Sequence, residues 1–406
     1  MSRLDQQTAI VGEQVVDELR LLGDQLRDRV MRHISASSVG GGVAEILHRM
    51  VPYFRELGID ARWDVIKGDS QFSTVTRKMH AALQGQSVDV TEKDFAVYRE
   101  TLDLNRAELD LSGDAVFIHD PQPAGLIAHR DAARTPWIWD TQLDLSAART
   151  EVWDFFRPML ERYDAAVLPS PAFASELNIR QILIAPSIDP LSDRNRELTA
   201  EQVREVLDRL ELNTDKPVVT QVSRFDHAKD PTGVIEAYQI AKKRVECQLW
   251  LVGCSPTEDP EGNPAIAEVY EKADNDPDIH ILELSSTSHL DINALQRAST
   301  IILQKSLKEG FGLTVTEALW KGKPVIASGV GGIPLQITHN YSGILTHSIE
   351  GTAYWIRQLL QEPPYARRLG ENGRQHVRDN FLLTRHLKDY LLLFLSLYHA
   401  EDIVYV

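Results

Sequence analysis

The sequence predicts an α/β protein built from two comparable halves. Short apolar runs typical of buried parallel strands alternate with segments whose apolar residues recur at helical spacing. Between the halves stands Pro186-Ser-Ile-Asp-Pro-Leu-Ser-Asp-Arg-Asn195, a run of turn-forming residues that reads as a linker. A length of 406 residues fits two or three domains of ordinary size.

The elements follow in order. Val15-Val-Asp-Glu-Leu-Arg-Leu-Leu22 predicts a helical lead-in, and Val30-Met-Arg-His-Ile-Ser-Ala36 a first strand. Gly40-Gly-Gly42 and the helically patterned Val43–Val51 come next. Strand, glycine loop and helix form the opening unit of a nucleotide-binding α/β domain. Ala115–His119, Trp137–Trp139 and Ala165–Leu168 are the further strands of this half. Beyond the linker, strands are expected at Pro217–Ser223, Gln248–Gly253, Ile279–Leu282, Thr300–Leu303 and Pro324–Ala327, with a helix from Val315 to Lys321. The tail from Thr384 to Tyr398 is a helix too apolar to stand alone in water, so it must pack on something. The expected division is a first domain of residues 1–189, onto which residues 384–406 fold back, and a second of residues 190–383.

Composition narrows the function. Hydrophobic residues at 43% and charged residues at 25% are ordinary globular values, which excludes wholesale disorder. The formal net charge of −16 argues against nucleic acid or an anionic membrane as partner, although a few local cations can still hold a small anion. Two cysteines, Cys247 and Cys254, make neither a disulfide framework nor a metal site. The N-terminus lacks the apolar core of a signal peptide, and Tyr390–Tyr398 falls short of the ~20 residues of a membrane helix. A soluble, reducing, cytoplasmic setting is the expectation.

Two segments carry chemistry. In Lys305-Ser-Leu-Lys-Glu-Gly-Phe-Gly312-Leu-Thr-Val-Thr-Glu317, one glutamate lies in a glycine-rich loop and the other in the helix that follows. Gly310 and Gly312 let backbone N–H groups approach a ligand, and the helix N-terminus at Leu313-Thr314 favours phosphate. Glu309 would accept hydrogen bonds from sugar hydroxyls and Glu317 from a ribose diol, since each carboxylate oxygen accepts two. In the second segment, Ser223-Arg224-Phe-Asp-His-Ala-Lys229 directly follows a strand, at the end where α/β folds bind ligands. Arg224 and Lys229 can neutralise a diphosphate leaving group, one through a planar fork and one as a point charge, with Ser223 adding a phosphate contact.

Together these segments resemble the GT-B retaining glycosyltransferases of family 4, in which Glu-x7-Glu and an Arg…Lys pair mark the sugar-nucleotide site. Closer still is the resemblance to the trehalose synthases of the glycosyltransferring type. It is carried by Ser38-Val-Gly-Gly-Gly-Val-Ala-Glu-Ile-Leu47, Trp63-Asp-Val-Ile-Lys-Gly-Asp69, Phe117-Ile-His-Asp-Pro-Gln-Pro-Ala124, Pro186–Pro190, Glu309–Trp320 and Val330–Ile333, nearly the whole chain. The resemblance implies two Rossmann-like domains facing a deep interdomain cleft. Gly41 and Gly42 would lie beside the diphosphate, and His119 would face the donor sugar as a catalytic group with Arg224, Lys229 and Glu309. Phe311 joins Ser223, Gly310, Gly312, Leu313, Thr314 and Glu317 on the donor side. Lys67 and Asp69 belong to the acceptor side. One departure stands out: after Trp139 the family continues Arg-Cys-His, where this chain reads Asp140-Thr141-Gln142. That implies an altered acceptor half, to which Asp140 and Gln142 belong, with Asp140 tolerating a cationic or more hydroxyl-rich acceptor better than a phosphorylated one.

The expected reaction is retaining transfer of a hexosyl group from a nucleoside diphosphate sugar to a small hydroxylated acceptor. Charge growing on the β-phosphate would be met by Arg224, Lys229 and the helix N-terminus, so neither a metal nor another cofactor is expected. The donor could be a uridine, adenosine or guanosine diphosphate sugar, and a homodimer is left open. Two alternatives are a trehalose-phosphorylase-like enzyme, in which phosphate replaces the nucleotide, and a sugar-nucleotide-binding protein without turnover. A nicotinamide-dependent dehydrogenase is disfavoured, because Gly40-Gly-Gly42 lacks the Gly-x-Gly-x-x-Gly order.

Overall fold

The computed structural model describes residues 2–39, 41–130, 135–253, 264–285 and 287–398. Gly40 of the glycine loop, Cys254 and residues 399–406 of the expected C-terminal segment lie outside the described residues. The chain divides into two units, Met1–Pro186 with Leu383–Val406, and Ser187–Leu382.

In the first unit, β1 (Val30–Ser35), β2 (Asp60–Val65), β3 (Ala115–His119), β4 (Trp137–Asp140), β5 (Ala165–Leu168) and β6 (Arg180–Leu183) form a parallel sheet in the order β2-β1-β3-β4-β5-β6. Both faces are covered, as an all-parallel sheet requires. One face packs Met31 and Phe117 against Phe54, Val16 and Leu19 from the helices Gly41–Glu56 and Glu13–Gln25. The C-terminal helix Leu383–Tyr398 joins this core through Leu387, Leu391 and Phe394, so the apolar tail finds its surface within the unit. Its first turn is tied down by Arg385, which donates to the carbonyl of Ala185 at 2.6 Å. The other face buries Phe72, Tyr98, Trp139 and Phe156.

In the second unit, β7 (Val218–Val222), β8 (Gln248–Gly253), β9 (Ile279–Glu283), β10 (Ile301–Gln304), β11 (Val325–Ser328) and β12 (Ile344–Thr346) are again parallel, in the order β12-β11-β10-β7-β8-β9. Counted from β7 this is the dinucleotide-fold order, and the strand sequence reverses between β7 and β10. In the first unit the reversal lies between β1 and β3. Doubly wound sheets bind ligands at such points, beyond the carboxyl ends of the strands.

The strands that composition did not reveal, β2, β6 and β12, are all at sheet edges. β2 exposes Asp60 and Arg62 and buries Ala61, β6 exposes Arg180 and Leu183, and β12 is only 3 residues long. An edge strand needs no continuous apolar run, because only part of it is enclosed.

Candidate active site

Two loops meet at the strand reversal of the second unit. Ser223 to Asp230 leaves β7 and Lys305 to Gly312 leaves the adjacent β10. Lys229 Nζ lies 2.6 Å from Glu309 Oε2, with the side chains 14% and 8% exposed. That oxygen also accepts from Ser306 Oγ at 3.1 Å and Gln304 Nε2 at 3.3 Å. Glu309 Oε1 has no hydrogen-bond partner among the described residues. Gln221 Nε2 donates to Ser223 Oγ at 3.0 Å and to the Lys229 carbonyl at 2.9 Å. A buried amide at the end of each apolar strand, Gln221 on β7 and Gln304 on β10, therefore holds the loop that follows it. Sequence reasoning missed both, although a glutamine within Val-Val-Thr-Gln-Val or closing Ile-Ile-Leu-Gln is the polar exception that could have marked them.

The glycine-rich turn is built by close approach of backbones. Gly312 sits at φ 84 and leads into the helix Leu313–Trp320, whose first residues Leu313 and Thr314 are half-buried. Gly331, at φ 57, passes so near that a Cβ there would lie 1.9 Å from the Glu309 carbonyl oxygen. The Gly332 amide donates to the Gly310 carbonyl at 2.7 Å. Gln336 clamps the arrangement, donating to the Phe311 carbonyl at 2.5 Å and accepting from Thr316 Oγ1 at 2.6 Å. The Phe311 ring is buried against Phe381, with centroids 5.6 Å apart, so only its backbone can serve a ligand.

Arg224 is 67% exposed and pairs with Asp226 at 3.0 Å. Glu317 is buried, and Arg194 Nε lies 3.0 Å from its Oε1 and 3.1 Å from its Oε2. Arg194 comes from the segment read only as a linker. One turn beyond Glu317, Lys321 is buried and donates to the Glu317 carbonyl at 3.2 Å. Burial pushes its pKa down to about 7 against the pull of the Glu317 carboxylate.

The first unit places its predicted residues differently. His119 ends β3 directly opposite Asp140 at the end of β4. Its Nδ1 lies 3.3 Å from Asp140 Oδ2, and its Nε2 lies 3.0 Å from His33 Nδ1. Asp140 Oδ2 also accepts from Tyr390 of the C-terminal helix, while Oδ1 takes Gln142 Nε2 at 3.4 Å. His33, His119, Asp140 and Tyr390 are all buried. Two expectations are thereby corrected. His119 is buried, with Nε2 engaged by His33 and Nδ1 facing the Asp140 carboxylate at 3.3 Å, so its ring is not presented to a sugar. Asp140 does not present a carboxylate to an acceptor, because the C-terminal helix closes over it.

Asp120, beside them, has a left-handed backbone at φ 64. Its Oδ1 accepts from the Gln142 amide at 3.1 Å and Thr141 Oγ1 at 3.2 Å, and burial raises its pKa. Lys67 and Asp69 lie on the loop after the edge strand β2, with Lys67 Nζ 2.5 Å from Glu108 and Asp69 capping the helix Ser70–Leu83. Neither shares a hydrogen bond or ion pair with His119 or Asp140. Gly41 opens the helix Gly41–Glu56, and a Cβ on Gly42 would meet nothing within 4 Å. Protein packing therefore does not require a glycine at 42.

Residues 33–175 match the family described as trehalose synthase, N-terminal domain, and residues 202–376 match the glycosyl transferases group 1. The trehalose synthase of Thermococcus litoralis is 40% identical over 395 residues, covering 96% of this chain and 96% of its own. This chain belongs to the trehalose synthase family. The solved sucrose-phosphate synthase of Thermosynechococcus elongatus superposes with a TM-score of 0.72 at 19% identity, covering 92% of this chain and 100% of that one. Anabaena Alr3699/HepE, solved in complex with UDP and glucose, gives a TM-score of 0.69 at 16% identity over 91% of this chain and 100% of its own. The fold is GT-B, with two parallel-sheet α/β domains, and membership of the family makes the chain a glycosyltransferase-type enzyme. Among the described residues, no helix is long and apolar enough to cross a membrane.

Proposed function

We propose that this enzyme moves a hexosyl group, glucosyl in the first instance, from a nucleoside diphosphate sugar to a small hydroxylated acceptor with retention at the anomeric carbon. The observation that carries this reading is the Lys229–Glu309 pair at the strand reversal of the second unit, beside the start of the helix Leu313–Trp320. It supplies a cation for phosphate, a carboxylate for sugar hydroxyls and helix amides for a further anionic oxygen. Arg224, exposed on the same loop, supplies a second cation. That the same fold in HepE was solved with UDP and glucose supports a nucleotide sugar as donor.

As the bond between C1 and the β-phosphate oxygen breaks, negative charge grows on the departing diphosphate. Lys229, Arg224 and the amides of Leu313 and Thr314 stabilise it. The departing oxygen takes the acceptor's proton on the same face while the acceptor oxygen bonds to C1, so no separate base is needed. With both counter-charges supplied by side chains, the transfer is proposed to run without a metal ion or other cofactor. Gly42 is read as leaving room for a ligand, since an alanine would fit the protein itself. Asp140 and Gln142 are engaged internally, so glucose becomes the first acceptor to test.

A mass-spectrometric screen of uridine, adenosine and guanosine diphosphate glucose against glucose, other sugars, polyols and aminocyclitols tests the reading. A product one hexose heavier than the acceptor is the expected result, undiminished by a chelator. Tight nucleotide binding with no product from any acceptor would reduce the protein to a binding module. Glucose 1-phosphate formation from trehalose and phosphate, indifferent to added nucleoside diphosphate, would favour a phosphorylase.

A further inference from the structure

A second ion pair joins the two loops of the second unit. Lys305, the first residue after β10, places its Nζ on Asp230 Oδ2, with the side chains 10% and 15% exposed. The polarity is crossed. The loop after β7 supplies the cation Lys229 and the anion Asp230, while the loop after β10 supplies the cation Lys305 and the anion Glu309. Asp230 follows Lys229 directly and holds a left-handed backbone, φ 49 and ψ 51, which a non-glycine residue keeps only where its surroundings impose it. They do so through both carboxylate oxygens. Lys305 takes Oδ2, and Oδ1 caps the next helix by accepting from the Gly233 amide at 3.1 Å. Gly233 is cut to fit, since a Cβ there would lie 2.3 Å from Asp230 Oδ2.

The Lys229–Glu309 contact uses groups that phosphate and sugar need, so a bound ligand competes with it. The two backbone bonds from Leu307 and Lys308 to the Ala228 carbonyl, at 2.8 and 3.3 Å, and the Lys305–Asp230 pair then remain between the loops. We propose that Lys305 is a positioning residue of the donor site. By neutralising Asp230 it fixes the turn that aims Lys229, and it stops Asp230 from competing with the diphosphate for the Lys229 ammonium. The inference rests on the donor-site reading above.

The test uses the full chain as wild type, Lys305→Met, Lys305→Arg and the double variant Lys305→Met/Asp230→Asn. Calorimetry measures their affinities for UDP, ADP and GDP and for the matching nucleosides without phosphate, with thermal unfolding to check the fold. Lys305→Met should lose about tenfold or more in diphosphate affinity while nucleoside affinity stays, because a bare buried carboxylate then draws Lys229 away. Lys305→Arg should keep the affinity within about threefold. The double variant, with the competing charge gone, should bind diphosphate more tightly than Lys305→Met alone. Equal losses for nucleoside and diphosphate, or a double variant no better than the single one, would overturn the proposal. So would wild-type diphosphate affinity in Lys305→Met. A wild-type chain that binds none of the three diphosphates overturns the donor reading and this inference with it.

Discussion

The two strand reversals of this molecule occupy equivalent topological positions and treat their polar groups in opposite ways. Between β7 and β10 the charged groups are few steps from solvent, Glu309 keeps one oxygen without a protein partner, and the cations are lysine and arginine on loops. Between β1 and β3 the polar groups are sealed. His33 hydrogen-bonds His119, whose other ring nitrogen lies 3.3 Å from Asp140; Tyr390 donates to Asp140, and His33 stacks on Phe117 at 5.0 Å. A half-buried ion pair can exchange its partner for a ligand. A fully buried chain of hydrogen bonds cannot be opened without leaving desolvated polar groups, at about 1–3 kcal/mol each. Topology nominates both places; among the described residues there, the second unit is the one that keeps a carboxylate oxygen without a protein partner, which is why the donor site is proposed there.

That contrast can be broken by substitution, and the largest effect should come from the exchangeable pair. Glu309→Ala is expected to lower turnover by about 10²–10³-fold, and Lys229→Ala by about 10²-fold, in protein that still folds, although removing one partner of a pair only 8% and 14% exposed also lowers the urea midpoint. Near-full activity in either variant would dissolve the donor site. Asp140→Ala should act chiefly on stability. It strips the partner from Tyr390 and His119 and should cost about 3 kcal/mol of stability, seen as a lowered urea midpoint.

The sealed region should also respond to acid. Burial holds His33 and His386 neutral, with pKa values well below the ordinary 6.5, and the charge of Arg385 adds to the effect at His386. The unfolded chain gains protons at these sites as pH drops below about 6.5, and the folded chain does not. Stability is thus complete above that pH and is lost as pH falls toward the depressed folded values. Chemical unfolding at pH 7.5 and 5.5 (about one unit to either side) should show the loss, and His33→Phe should shrink it. A loss of equal size in the variant would take His33 out of the account.

The smallest effects separate ligand requirements from packing. Arg224→Ala removes an exposed pair worth about 0–1 kcal/mol, so stability should hardly move while turnover falls. Gly42→Ala should leave stability unchanged or raise it by up to about 1 kcal/mol, because alanine is the better helix former and nothing lies near its Cβ. Weaker nucleotide-sugar binding in that variant would assign the glycine to the ligand, and unaltered binding would assign it to neither.

Much of the fold was legible from composition. The interior strands β3, β4, β5, β7, β8, β10 and β11 are mostly apolar because both their faces are covered, and hydrophobic runs therefore announce them, while β1 was read from its place before the glycine loop. Along the chain, the strand-then-loop order places Arg224, Lys229 and Glu309 at the carboxyl ends of β7 and β10. The edge strands β2 and β6 escaped, since partial exposure lets charged and polar residues in, and β12 escaped because it is only 3 residues long.

What sequence could not supply is who pairs with whom. Lys229 lies 80 positions from Glu309, Arg194 123 from Glu317, and Tyr390 250 from Asp140. A carboxylate alone in a sequence is as consistent with meeting a sugar as with meeting a tyrosine. Local patterns, family motifs and the α/β class are properties of neighbouring residues, and the sequence by itself determined them. Whether Glu309 keeps an oxygen for a ligand and Asp140 keeps none was decided only when distant strands came into register, because desolvation and hydrogen bonding depend on what surrounds a side chain in space.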